Sequence, residues 1–234
     1  MQNQSRSQSS HGKNTRIRWV PIPLLACAVL GGVACSSTAD SASSELTGST
    51  SDHLYVLSTN VWPDNRISVC WETSGSSTQK GWVRSAIENT WERNSNVDFT
   101  GWGSCTSSGA NIRITIADSG PRTLGLGTAL DNVRKGMLLN FTFKNWSTSC
   151  QNRTEYCIRS IAVHEFGHAL GFAHEQNRPD TPDSCDERQG SNGDTTVGAW
   201  DAMSVMNYCN PTWNNGGELS DTDIEGLQQF YGAP

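Results

Sequence analysis

The sequence predicts an α+β (mixed α/β) fold: a twisted mixed sheet with long helices in the N-terminal half, then a helical, loop-rich half. Three observations carry that expectation. Residues 66–72 (RISVCWE) and 111–117 (NIRITIA) alternate apolar and polar side chains, the period of a half-buried strand. Between them, residues 78–93 place Trp82, Val83, Ile87, Thr90 and Trp91 at helical spacing, the stripe of an amphipathic helix. At the far end Ser220 and Asp223 form a capping-box pattern, and Ile224, Leu227 and Tyr231 line one face of a terminal helix.

The remaining elements fall between these. Residues 97–102 read as a strand, and a Gly-rich stretch over 120–127 precedes another strand at 136–143. A second long helix is expected from about residue 158. With 234 residues, the chain is long enough for one generous domain with a real core.

The N-terminus reads differently. Residues 1–18 carry Arg6, Lys13, Arg16 and Arg18 and no acid, and the apolar run 19–34 follows. A basic region, a short apolar stretch and small residues before a boundary describe an export signal. Sixteen apolar residues are short for a bilayer-spanning helix. The run ends in Val33-Ala34-Cys35-Ser36, which resembles a bacterial lipobox, with Gly32 where Leu is usual. We therefore expect residues 1–35 to be an export signal of the lipoprotein type, lipid-anchored at Cys35 in the bacterial cell envelope; plain secretion is the alternative. Residues 36–52 hold ten Ser or Thr and no aromatic residue, a flexible tether, and residues 53–234 form the working domain.

Loss of residues 1–35 leaves 13 Lys plus Arg against 23 Asp plus Glu, a net charge of −10. Such a chain has no electrostatic reason to bind nucleic acid, and contact with a membrane is expected only through the lipid anchor. A monomer is expected. Six cysteines remain after Cys27 and Cys35 are set aside. An even number in an exported chain reads as three disulfides, and sequence neighbourhood suggests 70–105, 150–157 and 185–209 out of 15 connectivities.

Chemistry concentrates in HEFGHALGFAHE, residues 164–175. His164 and His168 stand four apart, so on a helix both rings project from one face. Glu165 sits beside them, within reach of a water held by a metal. Gly171 can take the positive φ that ends a helix, which lets the chain turn back and bring His174 to the same point. Three imidazoles leave a fourth position open, the arrangement of catalytic rather than structural zinc. A lone residue such as His53 has no such context.

The pattern His-Glu-x-x-His-x-x-Gly-x-x-His, followed by a Met-turn, resembles the metzincin zinc metalloproteases. The Met-turn is Ser204-Val205-Met206-Asn207-Tyr208, with Asp201 three residues before the serine. It is most similar to the astacin family, and the HEFGHALG wording is similar to matrixins as well. The resemblance implies that His164, His168 and His174 bind zinc, that Met206 lies beneath it, and that Tyr208 is a switchable fifth ligand able to donate to the oxyanion. It also implies that residues 123–130 form an edge segment along the cleft. Asn207 stands where astacins have His, and residues 36–60 lack the Phe-x-Gly-Asp that masks the metal there. A tethered N-terminus could not reach Glu175 as the astacin terminus does, so Glu175 is expected to hydrogen-bond within the site instead.

The implied activity is hydrolysis of peptide bonds in peptide or protein substrates by a zinc endopeptidase. Zinc lowers the pKa of its bound water towards ~7, Glu165 acts as general base, and Tyr208 assists. Two alternatives remain: a non-catalytic surface-binding lipoprotein on the same scaffold, and a zinc amidase acting on peptidoglycan peptides. The acids Asp180, Asp183, Asp186, Glu187 and Asp194 read as a solvated loop, with a calcium site as the alternative.

Overall fold

In the computed structural model, residues 54–234 are described. The export signal, the tether and His53 lie outside the described residues. A five-stranded sheet forms the first half, built from β2 (Arg66–Trp71), β3 (Asp98–Ser104), β4 (Ile112–Ile116), β5 (Arg122–Thr123) and β6 (Met137–Leu139). The strand order is β3-β2-β4-β6-β5, with β2 parallel to β3 and β4, β4 parallel to β6, and β5 antiparallel at the edge. The fold class is the mixed one expected.

Alternation decides which face of the sheet is dry. Ile67, Val69 and Trp71 of β2, and Ile112 and Ile114 of β4, are buried, while Arg113 faces away and meets Glu72 at 2.8 Å. Helix α1 (Ser77–Ile87) continues through a wide turn at Glu88–Glu92, so the helical segment spans nearly the length expected. It buries Val83, Ala86, Ile87, Thr90 and Trp91. Trp91 Nε1 donates to the Val163 carbonyl at 2.9 Å, tying α1 to the central helix α3 (Thr154–Ala169). That helix is buried on nearly every face from Cys157 onward, as a helix packed on several sides must be.

Several boundaries differ from expectation. α3 begins one turn earlier, after a short α2 (Thr148–Gln151), because the Cys150–Cys157 disulfide and the Arg159–Glu155 pair at 2.8 Å support that first turn. β6 stops at Leu139, where Asn140 Oδ1 accepts the backbone N–H groups of Thr142 and Phe143 and turns the chain. The edge segment is a two-residue strand followed by a 3-10 turn at Gly127–Leu130.

A second, two-stranded sheet pairs β1 (Leu54–Val56) with β7 (Thr195–Val197). Neither strand is long enough to show a pattern in the sequence. The second half is otherwise mostly loop, closed by helix α4 (Asp221–Tyr231). Tyr231 caps the core by donating its hydroxyl to the Leu170 carbonyl at 2.6 Å. The disulfides are 70–105, 150–157 and 185–209, the pairing that sequence neighbourhood suggests. Three of them suit an oxidising compartment. No helix among the described residues is long and apolar enough to cross a membrane.

Candidate functional site

α3 carries His164 and His168 one turn apart. The helix ends at Ala169 with Leu170 as its cap, and Gly171 takes φ 101°, a conformation that costs glycine little and most residues much. The reversed chain is then held against β1: Leu57 N donates to Gly171 O at 2.9 Å and Ala173 N to Tyr55 O at 2.8 Å. This short pairing delivers His174 to the other two. His174 Nε2 lies 3.2 Å from His164 Nε2 and 3.1 Å from His168 Nε2.

The Nδ1 atoms point outward, each to a backbone carbonyl: His164 to Val205 O at 2.8 Å, His168 to Phe172 O at 2.7 Å, His174 to Gln189 O at 2.8 Å. A carbonyl only accepts, so each Nδ1 carries the proton and each Nε2 presents a lone pair. Three lone pairs that converge on one point, with that of His174 3.1–3.2 Å from the other two, repel one another unless a cation lies among them. Burial and then the neighbouring His174 hold His164 down at about 3, and burial lowers His168 and His174 too, so all three are neutral ligands. The residues fit a zinc ion. Among the described residues no other group of three His, Cys, Asp or Glu converges in this way.

Glu165 is buried beside the triad, and its Oε2 has no hydrogen-bond partner. Burial pushes its carboxyl up to about 8, with Arg122 of the edge strand pulling the other way. Tyr208 stacks on His164 with ring centroids 5.3 Å apart and lies 4.5 Å from the His174 ring. Burial and then the Glu165 charge push its hydroxyl up to about 12.

The Met-turn sits under the helix because of a glycine. A Cβ on Gly167 would overlap Met206 Sδ and come within 3.1 Å of the Trp91 ring, so the fourth letter of the motif must be small. Helix α4 pins the turn from the other side. Asp223 completes the expected capping box with Ser220, and its two oxygens also accept from Ser204 Oγ at 2.6 Å and Val205 N at 2.8 Å. One carboxylate thereby holds the segment whose Val205 carbonyl orients His164.

Glu175 lies behind the site, not in it. It is fully buried against Arg178 at 3.5 Å and accepts the Asp201 N–H at 3.0 Å. Arg178 also grips Asp180 through two 2.8 Å bonds. Asp194 accepts from Ser58 N at 2.8 Å, so two of the loop acids serve local structure.

Sequence reasoning missed Arg122, Asp223 and Gln189. Arg122 is the one base on the predicted edge segment's flank, a signal that was there to read. The sequence pattern shows Asp223 as a helix cap alone. Gln189 acts through its carbonyl, which no side-chain pattern reports.

The model of a family described as dual-action HEIGH metallo-peptidase matches residues 34–231. Two solved structures of myroilysin are similar. One is 22% identical, covers 76% of this chain and 98% of its own, and superposes with a TM-score of 0.55. The other is 21% identical over 76% of this chain and 89% of its own, with a TM-score of 0.51. High choriolytic enzyme 1, a hatching-enzyme zinc-protease from Oryzias latipes (Medaka fish), is 20% identical over 80% of this chain and 97% of its own, with a TM-score of 0.46. No curated protein matches the sequence. The sequence writes the family's motif as His-Glu-Phe-Gly-His, with Phe166 stacked on Trp102 at 5.6 Å. With its neutral histidine triad and this match over most of its length, the chain belongs to the dual-action HEIGH metallo-peptidase family, and it is a zinc metallopeptidase.

Proposed function

We propose that this protein is an exported endopeptidase of astacin-like type, in which Glu165 is the general base and Tyr208 the donor to the oxyanion. The observation that carries the reading is the unpartnered Glu165 Oε2 beside three outward-anchored imidazoles. When bound by His164, His168 and His174, zinc supplies Lewis-acid chemistry, acidifying a water and polarising a carbonyl. Glu165 takes a proton at Oε2 and returns it to the leaving amine. Its buried Oε2 has no competing donor, and a structural metal site needs no such group. Tyr208 keeps its proton at neutral pH and can donate it as a hydrogen bond to the oxygen that gains charge.

The free edge of β5 supports a substrate held as an added strand, which favours a peptide over a compact non-peptide amide. Export is supported by three disulfides and by the basic-apolar N-terminus; the Cys35 anchor is part of the same proposal. The test is zinc analysis of the purified chain together with cleavage of a denatured protein, with and without a chelator. About one zinc per chain and chelator-sensitive internal cleavage are expected. Zinc without cleavage of any denatured protein or peptide would leave the binding-lipoprotein reading instead.

A further inference from the structure

The cleft has two arms that meet at Pro121, Glu165, Gln189 and Tyr208. One arm, of about 220 Å³, runs beside Thr123, Leu124, Gly125 and Leu126. The other, of about 470 Å³, runs past Ile161 to Trp146, Trp213 and Asn214. The same two tryptophans wall a further hollow of about 440 Å³ that reaches Arg153. The second arm, which Glu187 also lines, and this hollow therefore share the two tryptophans as a common wall, with Arg153 on the far side.

Its walls are built rather than incidental. Trp146 and Trp213, 43% and 38% exposed, are two of four large apolar side chains left exposed among the described residues. Trp146 rests on the buried Phe143 ring, centroids 6.0 Å apart. Trp213 opens a 3-10 turn (Trp213–Gly217) laid against α3, where a Cβ on Gly217 would come within 2.8 Å of the Ser160 backbone. Within that turn Asn214 is 4% exposed, lines the arm, and has an Oδ1 with no hydrogen-bond partner. A buried acceptor in that state calls for an N–H donor. Arg153 lies 4.8 Å over the Tyr156 ring, and its neighbour Glu155 is taken by Arg159. Among the described residues no carboxylate pairs with Arg153.

Strand geometry gives the direction. A substrate added to the free edge of β5 in antiparallel register, the more stable pairing, runs opposite to the chain from Pro121 to Leu126. Its N-terminal side then lies along the first arm, and its C-terminal side leaves past Pro121 into the second. We propose that the second arm binds the residues C-terminal to the cleaved bond: a large apolar or aromatic side chain against Trp146 and Trp213, a backbone N–H on Asn214 Oδ1, and a carboxylate at Arg153. The inference rests on the peptidase reading above.

The test uses the zinc-loaded full chain and quenched peptides varied after the cleaved bond, with blocked or free C-termini. Cleavage should concentrate at bonds followed within about three residues by Phe, Tyr, Trp or Leu. Trp213→Ala and Trp146→Ala should each lower kcat/KM for those peptides about tenfold more than for peptides with Gly there. Arg153→Glu should reverse the preference for an acid over Lys beyond that position. An acid effect in blocked peptides identifies a side chain as the carboxylate, and one confined to free C-termini identifies the chain end. Cleavage without preference after the bond, or variants that keep the wild-type ranking of peptides, overturns this inference and leaves the peptidase standing. No cleavage of any peptide by the zinc-loaded wild type overturns the peptidase reading itself.

Discussion

His174 and Glu175 are neighbours in the chain and belong to two buried polar clusters of opposite character. On one side of that peptide bond, three Nε2 lone pairs and Glu165 Oε2 face inward with no donor among them. On the other, Glu175 faces Arg178, and Arg178 in turn bonds Asp180 and the carbonyls of Leu54, Val197 and Gly198. Glu175 Oε2 makes no hydrogen bond, and although burial pushes its carboxyl up to about 8, the guanidinium 3.5 Å from Oε1 pulls the other way and supplies a counter-charge. The difference teaches how to separate work from support. A cluster that carries its own counter-charge holds the fold, and a cluster made of acceptors alone is built to hold a metal and a substrate.

The comparison breaks most sharply at Glu165. Glu165→Gln should keep its zinc and lose about a thousandfold or more in peptidase activity, read by metal analysis and turnover on one sample. Ordinary turnover would move Glu165 into the supporting class. On the other side, Arg178→Met leaves a carboxylate buried without its counter-charge and should cost about 3–5 kcal/mol in denaturant unfolding. Replacing Glu175 by Leu in the same chain should restore much of that loss, and a single variant as stable as wild type would end the claim.

A third experiment asks whether the two clusters are coupled through the loop between them. The Cys185–Cys209 disulfide closes the loop that carries Gln189, whose carbonyl steers His174, and it ends beside Tyr208. Replacing both cysteines by Ala should cost about 3 kcal/mol of stability and weaken zinc binding about tenfold or more in competition with a chelator. Unchanged zinc affinity would separate the loop from the metal.

The smallest effect is a pH dependence. Burial raises Asp223 from 3.8 to about 6 against its hydrogen bonds to Ser204, Val205 and Ser220. A carboxyl whose folded pKa lies above its unfolded value contributes stability that is present below about pH 4 and lost as pH rises through about 6. The stability of wild type relative to Asp223→Asn should therefore fall across that window and level off above it. A difference that is flat in pH would place the Asp223 pKa near its unfolded value.

Legibility followed the range of the interactions. Helix α1, strands β2 and β4 and the α4 cap write their burial into local periodicity, and each was readable. The metal site was readable because two ligands share a helix face and the third follows one glycine. β1 and β7 were not: three residues each, they are strands because they find one another across the chain, Leu54 opposite Val197. Glu175 was misplaced for the same reason, since its partner Arg178 and its contact with Asp201 depend on how the loop returns. The Trp146–Trp213 wall joins residues from two distant turns, so nothing local announces it.

The three hydrogen bonds that aim the imidazoles end on peptide carbonyls, at Val205, Phe172 and Gln189. No codon change can delete a carbonyl oxygen. The orientation of the metal ligands is thus insulated from the side chains at those three positions, and a substitution there reaches the metal only by moving the chain. The mutational target of the zinc site shrinks to the ligands, Glu165, the small residues that shape the path and the groups that hold it in place, such as Asp223 and the Cys185–Cys209 disulfide.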